Sequence, residues 1–145
     1  MIVDPTTGAQ QFWQGVVPRP VRGKWKPRLQ QIMLVELYAL WATLKTFAHD
    51  IKGRRVVAFI DNTAAHAVVT KATAKEPDAR DLTRQIVDLA RELDVKLWLE
   101  WVESAANPAD LPSRTAQEPP KTRRATLERI ESWGFTEAPF EDLCY

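Results

Sequence analysis

Residues 56–69 read VVAFIDNTAAHAVV, and the reading of this stretch decides the fold. Five apolar residues run into one acid, Asp61, then into Asn62 and Thr63. With Arg54 and Arg55 ahead of it, the run predicts a strand over 54–61. Its near-continuous apolar character suits a strand covered on both faces. Asn62 or Thr63 then caps a short helix over 62–72. An acid at the carboxyl end of such a strand stands where α/β sheets hold their ligands.

Outward from this centre, the elements alternate. Residues 1–17 predict a β-hairpin around Pro5-Thr6-Thr7-Gly8, with Asp4 as a turn residue. Residues 18–29 carry three prolines and a glycine and read as a connection with one short strand near Trp25. Gln30 to Asp50 is the clearest helix, with Met33, Leu37, Leu40, Trp41, Leu44 and Phe47 at helical spacing. Ala79 to Leu93 predicts a second amphipathic helix, its inner face being Leu82, Ile86, Leu89, Ala90 and Leu93. Val95 to Val102, VKLWLEWV, is a further strand, and Lys121 to Trp133 a weaker helix. The last dozen residues read as an extended tail. The order predicts an α/β domain with an antiparallel hairpin and later strands joined by helical crossovers.

Composition narrows the class. The 145 residues suffice for one domain with a core. Twenty basic residues against nineteen acidic ones leave a net charge of +1, so nucleic-acid binding would rest on a local basic patch. Lys52, Arg54 and Arg55 form one such cluster and Lys121, Arg123 and Arg124 another; each also reads as a solvated face. The single cysteine, Cys144, excludes a disulfide framework and a Cys/His zinc pattern, and points to an intracellular protein. No apolar run is long enough to span a bilayer. The six tryptophans read mostly as core, with Trp98 and Trp101 on opposite faces of their strand.

Three acids stand out. Glu36 lies within the apolar helix sequence IMLVELYAL. Asp61 ends its strand. Asp110 lies in ANPADLPSR, residues 106–114, between two prolines. Each also has a plain reading: Glu36 reaches solvent from a helix margin, Asp61 caps the next helix, and Asp110 sits in a turn started by Asn107 and Pro108. Ser113 and Arg114 read either as phosphate contacts or as a surface turn.

Taken together, VELYALWATLKTF, VVAFIDNTAAHAVV and LWLEWVESAANPADLPSR resemble the ribonuclease H domain attached to the reverse transcriptase of retrotransposons. The resemblance covers residues 1 to about 114 and implies a ribonuclease H-like domain over 1–116, with 117–145 as a C-terminal extension bearing a short helix. It implies a mixed sheet with an N-terminal antiparallel hairpin and flanking helices. It also implies hydrolysis of the RNA strand of an RNA/DNA hybrid with two Mg²⁺ ions, Mn²⁺ being a substitute. Such ions want oxygen ligands, and two of them clamp the attacking and leaving oxygens. By resemblance, Glu36, Asp61 and Asp110 are catalytic metal ligands. The polymerase portion of a polyprotein is the implied covalent partner.

The family opens its sheet with a strand that carries a first catalytic aspartate. Here Asp4 is the only acid ahead of Glu36, and a tight turn follows it. That strand and one ligand are therefore expected to be missing. The alternatives are a non-catalytic nucleic-acid-binding or connecting module of the same fold, and a decayed retroelement relic.

Overall fold

The computed structural model describes residues 1–111, 119–139 and 143–145. The expected boundary at 116/117, and Ser113 and Arg114, lie outside them. The chain divides into two compact units, Met1–Val16 with Ala105–Glu141, and Val17–Ser104 with Asp142–Tyr145.

In the first unit, β1 (Ile2–Val3) and β2 (Gln10–Phe12) pair antiparallel. The expected hairpin turn joins them. Asp4 Oδ1 accepts from the Thr6 N–H at 2.9 Å, and the Asp4 carbonyl accepts from Gly8, whose φ of +73° lies in the left-handed region that favours glycine. The helix Pro120–Ser132 follows the extension's prolines, within a residue of expectation, because Pro120 supplies a preset φ in the first turn. Gly134 then reverses the chain at φ +90°, and Thr136–Glu137 adds to β2 as a parallel strand. Part of the expected tail is thus a strand. Phe12 and Ile130 are this unit's fully buried large side chains among the described residues.

The second unit opens with α1 (Arg19–Arg22), which buries Val21. The helix α2 (Ile32–Thr46) is apolar nearly all round and buries Leu34, Leu37, Tyr38, Leu40, Trp41, Ala42 and Leu44. Leu34 takes the inward place expected for Met33. The expected continuous helix to Asp50 is broken at Phe47, whose φ of −99° and ψ of 21° leave the helical range before α3 (Ala48–Ile51). Then come β3 (Arg55–Ile60), α4 (Thr63–Thr70), α5 (Pro77–Glu92) and β4 (Lys96–Trp101). All five residues predicted for the inner face of α5 are buried. The pair β3 and β4 is parallel, with Arg55 beside Lys96 and Ile60 beside Trp101.

The chain is therefore mixed α/β. The described strands form two sheets, β1-β2 with Thr136–Glu137 and β3-β4. No described strand supplies the one that the resemblance sets between the hairpin and β3.

Two expectations need correction. The strand β3 is covered on one face only: Val57 is 55% and Phe59 63% exposed. A continuous apolar run fills both faces of a strand but carries no information about whether both are packed. The tryptophans are not mostly core. Trp25 and Trp41 are buried, while Trp98, Trp101 and Trp133 are exposed.

Candidate functional site

Asp61 stands immediately beyond β3, at the carboxyl end of the parallel pair. Its position is fixed from both sides. Asn62 caps α4, its Oδ1 accepting from the Ala65 N–H at 2.9 Å. Trp101, at the end of β4, donates its indole N–H to the Asp61 carbonyl at 3.3 Å. The Asp61 side chain is half-buried. So Asn62, not Asp61, caps the helix.

Glu36 lies in the second turn of α2 and is half-buried, as expected for an acid at the margin of an apolar helix. Asp110 lies in the other unit. The turn that carries it follows from Asn107 and Pro108. Asn107 Oδ1 accepts from the Ala109 N–H at 3.1 Å, and the Asn107 carbonyl accepts from the Asp110 N–H at 3.1 Å. Among the described residues, no three His, Cys, Asp or Glu side chains come together as a group able to hold a metal ion.

His66, on α4, donates its Nε2–H to the Leu99 carbonyl at 3.3 Å, the carbonyl fixing this tautomer. It ties α4 to β4. An open groove of about 460 Å³ lies between α4, α5 and β4, lined by Val69, Ile86, Val87, Val95, Leu97 and Trp98 among others. None of the three acids lines it.

The best-built polar site is elsewhere. Asp78, on the first turn of α5, is only 8% exposed. Its Oδ2 accepts from the Lys26 N–H at 2.9 Å and its Oδ1 from the Ala79 N–H at 2.8 Å, and Arg28 binds both oxygens. Burial pushes its carboxyl pKa up, but the two backbone N–H groups and the Arg28 guanidinium outweigh it and hold the pKa below the ordinary carboxylate value. Every oxygen is engaged, so this ion pair fastens residues 26–28 to α5. The local signal was an acid one residue after a proline at a helix start. Nothing local pointed to Arg28.

No family model, no curated protein and no solved structure matches the chain.

Proposed function

We propose that the chain is a ribonuclease H-type domain of a retroelement reverse transcriptase, with RNA/DNA hybrid as its ligand. The observation that carries this reading is the place of Asp61. Its carboxylate stands at the carboxyl end of a parallel strand pair, between a helix cap and a neighbouring indole that fix the backbone on either side. Glu36 and Asp110 are the further ligands that the resemblance implies, with Mg²⁺ as the ion and Mn²⁺ as its substitute. A hybrid would be read by groove shape and its 2′-hydroxyls.

A second reading has its own support: Asp4, the only acid ahead of Glu36, is held in the hairpin turn, where its Oδ1 accepts from the Thr6 N–H. In it the domain is a non-catalytic module that binds hybrid or connects to a polymerase portion.

One experiment separates the two. End-labelled RNA/DNA hybrid is incubated with the chain in Mg²⁺ or Mn²⁺, and binding is followed in parallel across a salt series. Metal-dependent RNA cleavage that disappears in Asp61→Asn supports the nuclease. Salt-sensitive binding without cleavage, unchanged in Asp61→Asn, supports the module. Neither binding nor cleavage ends both.

A further inference from the structure

Among the described residues of its unit, no strand pairs with one edge of β3, and its Val57 and Phe59 face is exposed. In a parallel pair each residue turns its N–H and C=O to the same side, and successive residues alternate sides. The Lys96 N–H donates to the Arg54 carbonyl at 3.0 Å and the Val102 N–H to the Ile60 carbonyl at 3.1 Å. Even-numbered residues of β3 therefore face β4. Arg55, Val57 and Phe59 turn their backbone groups to the far edge, where no described strand pairs with them. Their side chains share the exposed face, with Trp98 of β4, 64% exposed, beside Val57. A free strand edge beside exposed apolar side chains is a template for pairing with another strand.

The far edge of β4 differs. Its outward residues are Leu97, Leu99 and Trp101, and His66 already bonds the Leu99 carbonyl.

We propose that β3 pairs antiparallel with β3 of a second copy of this chain. The sequence of the strand complements itself when reversed. Arg55 set opposite Asp61 brings Val57 opposite Phe59 and Ala58 opposite its own counterpart. Val57 and Phe59, which exchange the backbone hydrogen bonds, are odd-numbered, as the free edge requires, while Arg55 and Asp61, the latter with its carbonyl turned to the Trp101 indole, meet through their side chains. Cation meets carboxylate at both ends, and apolar meets apolar between them. The strand β4 extends the pattern: Lys96 lies beside Arg55 and Glu100 beside Phe59, so the exposed face is basic at one end and acidic at the other. A two-fold axis places those unlike ends side by side. The result is a four-stranded sheet, β4-β3-β3-β4, with Val57, Phe59 and Trp98 of both copies on one face. This inference rests on the open edge of β3 and not on the nuclease reading, in which Asp61 is a metal ligand and the family's first strand would take the same edge; cleavage assays test that reading and sedimentation tests this one.

Sedimentation equilibrium of the full chain tests it, between about 10 and 500 μM, where a small interface associates. The wild type is expected to pass from monomer to dimer across that range. Val57→Pro removes one outward N–H while leaving the β3–β4 bonds in place, and is expected to weaken association at least tenfold. Phe59→Lys is expected to weaken it likewise and changes no backbone group, so it decides the matter if the proline variant fails to fold. Arg55→Asp weakens the dimer, and Arg55→Asp combined with Asp61→Arg restores it. A wild type that stays monomeric overturns the proposal, as does a dimer that Val57→Pro and Phe59→Lys leave unchanged.

Discussion

The Nη2 group of Arg28 binds both carboxylate oxygens of Asp78, at 3.0 Å to Oδ1 and 2.8 Å to Oδ2, across fifty positions of sequence. The acid is buried and the guanidinium is about three-quarters buried. Removing one member of such a pair leaves the other's charge without its partner. Asp78→Asn is expected to destabilise the fold by about 2 kcal/mol, because an amide cannot match a carboxylate toward Arg28 and two backbone N–H groups. Urea unfolding of the two proteins measures the difference.

The same carboxylate sets a pH dependence. Its folded pKa lies below its ordinary value of 3.8, so the stability it contributes is complete above that value. It is lost as pH falls below 3.8 and through the lowered folded pKa. Arg28→Ala removes part of that depression and is expected to move the onset of acid unfolding to higher pH. Circular dichroism during an acid titration of both proteins reads the shift.

Tyr145 gives a prediction at the other end of the pH scale. Its hydroxyl accepts from the buried Trp25 indole N–H at 2.8 Å, its ring meets Trp41 edge-on at 5.7 Å, and Lys24 lies 4.6 Å from the ring centre. Burial raises the phenol pKa, the Trp25 hydrogen bond lowers it, and the Asp81 and Asp78 charges raise it, for a net rise above 10.0. The contribution is therefore complete below pH 10 and is lost as pH climbs through the raised value. Tyr145→Phe is expected to cost about 1 kcal/mol at neutral pH, since Trp25 loses its acceptor, and to flatten the alkaline decline. Tryptophan fluorescence against pH and temperature checks both.

Asn62→Ala removes the α4 cap and is expected to cost about 1 kcal/mol, lowering the melting temperature by several degrees. Asn62→Asp keeps an acceptor at the helix start and is expected to retain that stability. The pair distinguishes loss of the cap from a general effect of changing the residue beside Asp61.

Gly53 turns the chain into β3 with φ +72°, and its N–H donates to the Leu93 carbonyl at 2.8 Å. No atom lies within 4 Å of where a Cβ would stand, so the cost of a side chain is conformational alone. Gly53→Ala is expected to cost about 1 kcal/mol and Gly53→Asn less, because asparagine tolerates the left-handed region. Thermal unfolding of the two variants ranks them.

What was legible in the sequence was local. The inner face of α5 followed from the spacing of Leu82, Ile86, Leu89, Ala90 and Leu93. The hairpin turn followed from Pro5 and Gly8, and the α4 cap from an Asn at a strand–helix junction. What escaped was long-range or carried no periodicity. Arg28 and Asp78 meet only in the fold, so no spacing marks them. The run Val56 to Ile60 alternates nothing, so it could not say that the Val57 and Phe59 face lies open. Neither Gly nor Pro announced the break at Phe47. Glu36, Asp61 and Asp110 were each placeable on an element from local pattern alone.

Both units are assembled from opposite ends of the chain. Thr136 and Glu137 pair with Gln11 and Phe12, and Tyr145 docks on Trp25 and Trp41. On the ribosome, about 120 residues emerge between Trp25 and the tyrosine that accepts its last hydrogen bond, and a stretch of similar length between β2 and its second neighbour. Loop closure of that length makes for slow folding. The nascent chain therefore carries an unsatisfied strand until Thr136 and Glu137 emerge and an indole without its acceptor until Tyr145 does.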